Sequence, residues 1–165
     1  MKRVHIVGGK NHGKTTLLTE LVQELTRQGL RVGTIKHTHH QHELDAPGKD
    51  SHRHREAGAA VVGILSRAMN AVFWPPTEAG EDRYEGFASM FDDCDLVLVE
   101  GDLQTDQPKV EVWRESQGSR PYAERYPSIE AVVSHDMPEG LDVPILDRAD
   151  IAGVAEKMKA IADVG

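Results

Sequence analysis

The residues best suited to chemistry form a glycine-rich segment near the start of the chain: Gly8, Gly9, Lys10, Asn11, His12, Gly13, Lys14, Thr15 and Thr16. Two glycines separated by four residues and followed by Lys and Thr are typical of a phosphate-binding loop. Glycines allow the backbone to turn so that successive N–H groups face one anion. Lys14 is expected to reach the β- and γ-phosphates, and the Thr15 hydroxyl to hold Mg²⁺. The segment from Gly9 to Thr16 is therefore predicted to bind a nucleotide.

The elements on either side of this segment are those that a phosphate loop requires. Val4 to Val7 is a short apolar run that predicts a buried strand, and apolar residues recur at helical spacing between Thr16 and Gln28. Leu30 to Lys36 predicts a second strand. A strand, a helix and a strand within about 35 residues form a βαβ unit, whose strands are parallel and whose crossover is right-handed.

The rest of the chain continues the α/β pattern. Further strands are predicted at 59–65, 71–74, 95–101, 110–113, 129–133 and 143–146, and helices at 84–91 and 151–162. A short helix is expected to end at Ala57, with Asp50 or Ser51 as its cap. The predicted fold is a three-layer α/β sandwich of the P-loop NTPase type, with a mostly parallel central sheet flanked by helices. Residues 1–165 suit a single nucleotide-binding domain.

A second candidate for chemistry is the carboxylate that ends the apolar run from Leu96 to Val99. Glu100 would leave the carboxyl end of a buried strand, where an acidic residue can hold Mg²⁺ directly or through water. Glu100 is therefore predicted to position the metal or the attacking water. The alternative is an acid that only caps the following loop.

A histidine-rich loop follows the second strand. It contains His37, His39, His40 and His42, and then Asp45, Lys49 and Asp50. Ligands bind at the carboxyl ends of strands in open α/β sheets, so this loop is predicted to lie beside the phosphate loop. Asp45 is the carboxylate expected to approach Mg²⁺, and Lys49 and Asp50 either orient an anion or form a surface ion pair or helix cap. The histidines either bind zinc or nickel or, in the interpretation we favour, contact phosphate or a partner's ligand.

Asp136 follows the predicted strand from Ile129 to Val133. In guanine-binding phosphate-loop proteins, an Asp beyond a late strand accepts hydrogen bonds from the base. Asp136 is placed for this role, but the Asn-Lys or Thr-Lys pair that usually precedes it is missing. A turn-forming Asp is an equal alternative, so the residues leave the choice between GTP and ATP open.

Composition excludes several classes of function. The net charge of −8 disfavours a nucleic acid or an anionic membrane as a general partner. The single Cys94 excludes an intrachain disulfide, and it is interpreted as a small buried hydrophobic residue. Neither a signal peptide nor a membrane-spanning run is recognisable, so a cytoplasmic protein is expected.

Five stretches of the sequence form a distinctive set. They are Gly-Gly-Lys-Asn-His-Gly-Lys-Thr-Thr-Leu at 8–17, Ile-Lys-His-Thr-His-His at 35–40, Ala-Pro-Gly-Lys-Asp-Ser-His-Arg-His-Arg-Glu-Ala-Gly-Ala at 46–59, Asp-Leu-Val-Leu-Val-Glu-Gly at 95–101 and Pro-Lys-Val-Glu-Val at 108–112. Together they resemble the MobB family, the molybdopterin-guanine dinucleotide biosynthesis adaptor proteins. The resemblance spans roughly residues 3 to 150.

The resemblance implies a GTP-binding homodimer with weak GTPase activity, which assists the nucleotidyltransferase that attaches GMP to molybdopterin. It places phosphate on residues 13–16 and Mg²⁺ at Thr15, with the histidine loop, Lys49, Asp50 and Glu100 lining the same pocket. The sequence departs from the family pattern at His12, where Ser or Thr is commoner and where a bulky ring is expected close to the γ-phosphate. It departs again at Asp102-Leu103, where the family often has an aromatic residue and a Lys; Lys109 is considered as a substitute.

Two other functions use the same architecture. A nickel or cobalt metallochaperone GTPase would bind metal through His39, His40 and His42, although the Cys-containing metal motif is missing. A small-molecule kinase would need a base at the acceptor hydroxyl and an arginine-bearing lid, which the sequence does not show. A binding module without catalysis is also open, because no residue is recognisable as the activator of water. Metal titration and a screen for phosphoryl transfer distinguish these functions.

Overall fold

The structure is a computed structural model that describes residues 1–38, 43–76 and 83–164. Contacts divide the chain into two compact units. We call Met1–Thr38 with Met90–Gly165 the sheet unit, and His39–Ser89 the hairpin unit. Each unit is described separately, and the single domain over residues 1–165 stays a prediction.

The strands follow the chain in the order β1 Arg3–Val7, β2 Val32–Lys36, β3 Val62–Leu65, β4 Asn70–Phe73, β5 Leu96–Glu100, β6 Lys109–Val112, β7 Ile129–Ser134 and β8 Ile145–Asp147. Six of them form the sheet of the sheet unit, in the order β2-β5-β1-β6-β7-β8. Every pairing in this sheet is parallel, which confirms the predicted α/β fold with a mostly parallel central sheet. Because β1 lies between β5 and β6, the loop after β1 is flanked by the ends of both neighbours.

The helices are α1 Lys14–Arg27, α2 Asp50–Glu56 and α3 Ile151–Ile161, with short 3-10 helices at Glu85–Phe91, Glu115–Gln117 and Tyr122–Glu124. In the sheet unit, α1 and α3 pack on each other and bury their apolar stripes in one core with the strands. Leu17, Leu21 and Leu25 of α1 are fully buried there. Complete burial of such a side chain stabilises the fold by about 1.5–3 kcal/mol.

The core aligns the strand ends that matter for the site. In β5, the side chains of residues 96–99 are no more than 1% exposed, and Val4 and Ile6 of β1 are fully buried. The register places Ile6 opposite Glu100 on one side and opposite Val110 on the other. Packing of apolar strands therefore brings the start of the glycine-rich loop next to Glu100.

In the hairpin unit, β3 and β4 form a two-stranded antiparallel sheet, with Val62 opposite Phe73. The sequence predicted a buried strand over residues 59–65, and this is confirmed only in part: a strand is present and Val62 is buried. The strand begins only at Val62, and the side chain of Leu65 is 87% exposed. Apolar β-branched residues predict a strand, but burial requires a neighbouring layer.

The start of α2 also differs from the expectation. Lys49 is the residue that precedes the helix, and neither Asp50 nor Ser51 caps it. The Ser51 hydroxyl instead donates a hydrogen bond to the carboxylate of Asp45, at 2.9 Å. Because α2 already begins at Asp50, Ser51 lies inside the first turn and not at the capping position.

Across the described ranges, the structure contains no helix that is both long enough and apolar enough to span a membrane.

Candidate nucleotide-binding site

The backbone of the glycine-rich loop has angles and close contacts that most residue types cannot adopt. Gly8 has a φ of +143°, and a Cβ built on it would lie 2.3 Å from the carbonyl oxygen of Val112. Gly13 has a φ of +99°. Residues with a Cβ rarely adopt such backbone angles, so glycine is required at both positions. The loop therefore lies directly against the end of β6.

Helix α1 begins without a protein cap. Its N-cap residue is Gly13, no acidic residue lies in its first turn, and no side chain in the described part of the chain caps it. Helix α3 provides the contrast, because Asp150 accepts a hydrogen bond from the N–H of Gly153 at 2.9 Å. The first N–H groups of α1 and the positive end of its dipole thus suit a bound anion.

Lys14 folds back over the loop that precedes it. Its ammonium donates hydrogen bonds to the carbonyl oxygens of Gly8 at 2.9 Å and Gly9 at 2.8 Å. Burial lowers the pKa of the Lys14 ammonium, the charge of Glu100 raises it, and that of Lys36 lowers it. The loop therefore holds one cation close to its own backbone, where a phosphate would be bound.

Thr15 and Glu100 are brought together from α1 and β5. The Thr15 hydroxyl donates to both carboxylate oxygens of Glu100, at 2.9 and 3.0 Å. The side chain of Glu100 is 13% exposed and lies 3.6 Å from the Lys36 ammonium. A hydroxyl and a carboxylate are oxygen ligands of the kind that Mg²⁺ prefers. These two residues fit a magnesium ion and are two of its three predicted ligands.

Asp45, the third predicted ligand, lies in the hairpin unit and is 8% exposed. One of its carboxylate oxygens accepts hydrogen bonds from the Ser51 hydroxyl at 2.9 Å and from the N–H of Ala46 at 2.8 Å. The other oxygen lies 3.8 Å from the Arg55 guanidinium. These contacts order the segment before α2, and the approach of Asp45 to Mg²⁺ stays a prediction.

The other predicted binding residues are distributed over both units. Lys10, Asn11 and Thr16 are exposed on the loop and the first turn of α1. The backbone N–H of His37 donates to the carbonyl of Glu100 at 2.9 Å, which keeps the end of β2 beside the end of β5. Lys49 and Asp50 line a cleft of about 410 Å³ in the hairpin unit, next to β3. Their role toward an anion stays a prediction.

His12 is turned into the protein rather than exposed at the loop, where a ring beside the γ-phosphate was expected. Its side chain is buried, and Nδ1 accepts a hydrogen bond from the backbone N–H of Arg114 at 3.0 Å. Nε2–H therefore donates to the Ser119 hydroxyl, at 3.2 Å. Burial lowers the pKa of His12, and the charges of Lys14 and Arg114 lower it further. The imidazole anchors the loop to the segment that follows β6.

Asp136 lies just beyond β7, as predicted. Its carboxylate accepts a hydrogen bond from the backbone N–H of Glu115 at 2.8 Å, and its own N–H donates to the Ser134 hydroxyl at 2.9 Å. One oxygen of Asp136 is thus used to order the turn after β6. Its contact with a base stays a prediction.

Lys109 does not provide the anion contact that the sequence suggested. It is fully buried and is the first residue of β6, so it lies at the end of this strand that is away from the phosphate loop. Its ammonium donates to the carbonyls of Thr105 and Gln107 and to the Ser128 hydroxyl. These three acceptors bind the amine within the connection that precedes β6, so this expectation was wrong.

Arg114 is a site residue that the sequence did not reveal. A Cβ built on Gly13 would lie 2.7 Å from Nη2 of Arg114, so the guanidinium lies against the N-cap of α1. The only available signal was the position of Arg114 just after a predicted strand, since strand ends at this edge carry the site. That signal does not distinguish Arg114 from the polar residues that follow it.

The metal-binding interpretation of the histidine loop falls partly outside the described residues, because His39, His40 and His42 are not among them. Within residues 1–38, 43–76 and 83–164, no group of three or more His, Cys, Asp or Glu side chains is arranged to hold a metal ion.

Comparison with known proteins gives a consistent result. The family model described as molybdopterin guanine dinucleotide synthesis protein B (MobB) matches residues 3–135. The molybdopterin-guanine dinucleotide biosynthesis adapter protein of Escherichia coli K12 is 38% identical over 146 residues, covering 87% of this chain and 83% of that protein. The protein of the same name from Haemophilus influenzae is 35% identical over 153 residues, covering 92% and 84%.

Comparison of the fold with solved structures gives the same family. The crystal structure of a MobB homologue from Bacillus stearothermophilus aligns with a TM-score of 0.68 and 26% identity, over 97% of this chain and 99% of that one. The match of the family model extends over most of the sequence, from β1 to the end of β7. The chain belongs to the MobB family.

Proposed function

We propose that this chain is a GTP-binding accessory protein of molybdopterin-guanine dinucleotide biosynthesis, with weak GTPase activity. The names of the relatives from Escherichia coli and Haemophilus influenzae support the biosynthetic context. The observation that carries the nucleotide assignment is the contact of Thr15 with Glu100 beside an uncapped helix start. This arrangement combines a place for phosphate with oxygen ligands for Mg²⁺.

Each part of the site has a distinct task in this proposal. The N–H groups at the start of α1 bind phosphate oxygens, and Lys14 neutralises their charge. Thr15 and Glu100 hold Mg²⁺, which supplies further neutralisation of the phosphate charge when it is bound. Asp136 recognises the guanine base by accepting hydrogen bonds from it, as in other guanine-binding phosphate-loop proteins.

The contacts of Glu100 support the proposal that GTP hydrolysis is slow. Both of its carboxylate oxygens accept from the Thr15 hydroxyl, and Lys36 lies 3.6 Å from one of them. A carboxylate held against the Thr15 hydroxyl is placed to be a metal ligand. The proposed protein therefore acts mainly as an adaptor for the transferase that joins GMP to molybdopterin.

The proposed assembly is a homodimer, and the surface of the hairpin unit supports it. Val61, Leu65 and Met69 are 61%, 87% and 74% exposed. Among the described residues, β3 and β4 pair only with each other, so each strand has a free edge. Exposed apolar side chains beside free strand edges favour association with another chain.

The substitution Lys14→Ala tests the nucleotide site. We expect it to abolish GTP binding, a loss in affinity of about 100-fold or more. The reason is that the ammonium can no longer donate its two expected charge-assisted hydrogen bonds to the phosphates, at about 1.5 kcal/mol each. Isothermal titration calorimetry with GTP and with ATP, in the presence of Mg²⁺, measures the effect. Lys157→Ala on α3 is the matched control.

The outcomes separate the parts of the proposal. Unchanged GTP affinity in Lys14→Ala would reject the site, and a wild-type preference for ATP would reject the base assignment. Purified guanylyltransferase supplied with molybdopterin and GTP should give more product when the wild-type chain is added. An equal gain from Lys14→Ala would show that the assistance does not use the bound nucleotide.

A further inference from the structure

The segment Arg114–Ser119 after β6 forms one side of the phosphate loop. Its first backbone N–H holds the His12 ring, and its last residue accepts a hydrogen bond from the other nitrogen of that ring. Its own shape is set by two further contacts, from the Trp113 indole to the carbonyl of Ser119 at 2.8 Å and from the N–H of Glu115 to Asp136. These hydrogen bonds therefore fix the conformation of the segment beside the phosphate loop.

The Arg114 guanidinium lies on this segment without a counter-ion. It is half-buried against Gly13, and among the described residues it forms neither an ion pair nor a side-chain hydrogen bond. Arg120, the residue that follows this segment, shows the usual arrangement, since its guanidinium is 2.6 Å from the Glu124 carboxylate. A partly desolvated guanidinium with no acidic partner favours an anion beside it.

We propose that Arg114 is a further binding residue for the nucleotide, with its guanidinium donating hydrogen bonds to the phosphates at the loop. The inference rests on the proposed function, because it requires that the loop bind a nucleotide. The guanidinium fork presents several parallel N–H donors, a geometry that matches phosphate oxygens. Its position against the N-cap of α1 brings this charge to the helix end that has no protein cap.

The position of Arg114 also predicts which nucleotides it affects. Thr15 and Glu100 lie on the β5 side of β1, whereas Arg114 follows β6 on the other side. Thr15 and Glu100 are the residues that would hold a metal, and Arg114 lies against Gly13 instead. Because the guanidinium lies at the N-cap of α1, we expect it to contact phosphate oxygens that GDP and GTP share and to contribute equally to the binding of both.

The test compares Arg114→Ala and Arg114→Lys with the wild type, using calorimetry with GDP and with a non-hydrolysable GTP analogue. We expect Arg114→Ala to weaken both nucleotides by about tenfold or more, the effect of one charge-assisted hydrogen bond. Arg114→Lys should recover part of the affinity, because it keeps the charge and loses the fork. The wild-type affinity should also fall more steeply with added salt than that of Arg114→Ala.

The chain offers a matched control for this test. Arg120→Ala removes a guanidinium from the residue that follows the segment and should leave both affinities unchanged. The hydrogen bond to His12 comes from the backbone N–H of Arg114, so it persists in every variant. Thermal unfolding temperatures equal to that of the wild type would show that the variants keep the structure of the phosphate loop.

Four outcomes would overturn the inference. Equal affinities of Arg114→Ala and the wild type would exclude a contact with phosphate. A loss confined to the GTP analogue would place the guanidinium at the γ-phosphate instead. If Lys14→Ala abolishes nucleotide binding while Arg114→Ala binds as tightly as the wild type, the proposed function stands and this inference fails. A wild type that binds no nucleotide would contradict both the proposed function and this inference.

Discussion

The strands β5 and β3 are similar in composition and opposite in surroundings. Residues 96–99 of β5 are Leu-Val-Leu-Val and are no more than 1% exposed. Residues 62–65 of β3 are Val-Gly-Ile-Leu, and Leu65 is 87% exposed. The difference lies in the neighbours, since β5 pairs with β1 and β2 inside a six-stranded sheet with helices, and β3 pairs with β4 alone among the described strands.

This comparison separates two uses of apolar residues. In the sheet unit they provide the free energy that aligns Gly8, Thr15 and Glu100. In the hairpin unit Val62 is buried, but Val61 and Leu65 remain at the surface, where they are available for the proposed assembly. The same residue types should therefore respond very differently to substitution.

The largest effect is expected for Leu98→Ala in the middle of β5. Leu98 is fully buried in the core, so removing its side chain costs the transfer free energy and leaves a cavity. The free energy of unfolding should fall by about 2–5 kcal/mol. Urea denaturation measures this, with Leu65→Ala as the same substitution at an exposed position. Equal losses at the two positions would contradict the contrast between the strands.

A smaller, pH-dependent effect is expected from His5 in β1. His5 is fully buried, its Nδ1–H donates to the carbonyl of Gly101 at 3.1 Å, and burial lowers its pKa from 6.5 to about 4. The unfolded chain therefore binds a proton at higher pH than the folded chain does. Stability from the neutral ring is complete above about pH 6.5 and is lost as the pH falls towards 4, by at most about 3 kcal/mol.

His5→Asn isolates this contribution. The amide keeps a donor toward Gly101 but cannot take up a proton in this range, so the variant should show a flatter dependence of unfolding free energy on pH between 6.5 and 4. Denaturation curves collected at several pH values measure the slope. A slope identical to that of the wild type would assign the acid sensitivity to other groups.

The smallest effect on folding is expected for Leu65→Ser in β3. The side chain is largely exposed, so the free energy of unfolding measured on the monomer should change by no more than about 0.5 kcal/mol. The same substitution should weaken the proposed homodimer, which sedimentation velocity over a range of protein concentrations can measure. An unaltered dimer would show that the hairpin lies outside the interface.

The sequence predicted the local part of the site well. The glycine spacing, the strand before it and the helix after it are adjacent in the chain, so β1, the loop and α1 follow from a short segment. The proximity of Thr15 and Glu100 also follows, because each ends or begins an element at the carboxyl edge of a parallel sheet. The helix start was predicted at Thr16 and lies at Lys14, since the turn at Gly13 already leads into it.

The contacts that the sequence did not predict depend on the order of strands. His12 meets Arg114 and Ser119, about a hundred residues later, only because β6 pairs with β1. Lys109 points away from the site because it begins β6 rather than ends it. No local pattern contains the strand order, so the burial of His12 and the position of Arg114 become visible only in three dimensions.

The enclosed amine of Lys109 has a consequence for chemical modification. Acylating and reductive-methylating reagents need an accessible, unprotonated amine, and the Lys109 ammonium is fully buried and donates to Thr105, Gln107 and Ser128. Its modification requires that the connection before β6 first open. Exposed lysines such as Lys10 and Lys49 react in the folded chain, so Lys109 is an internal reporter that distinguishes local opening of this edge from reaction at the surface.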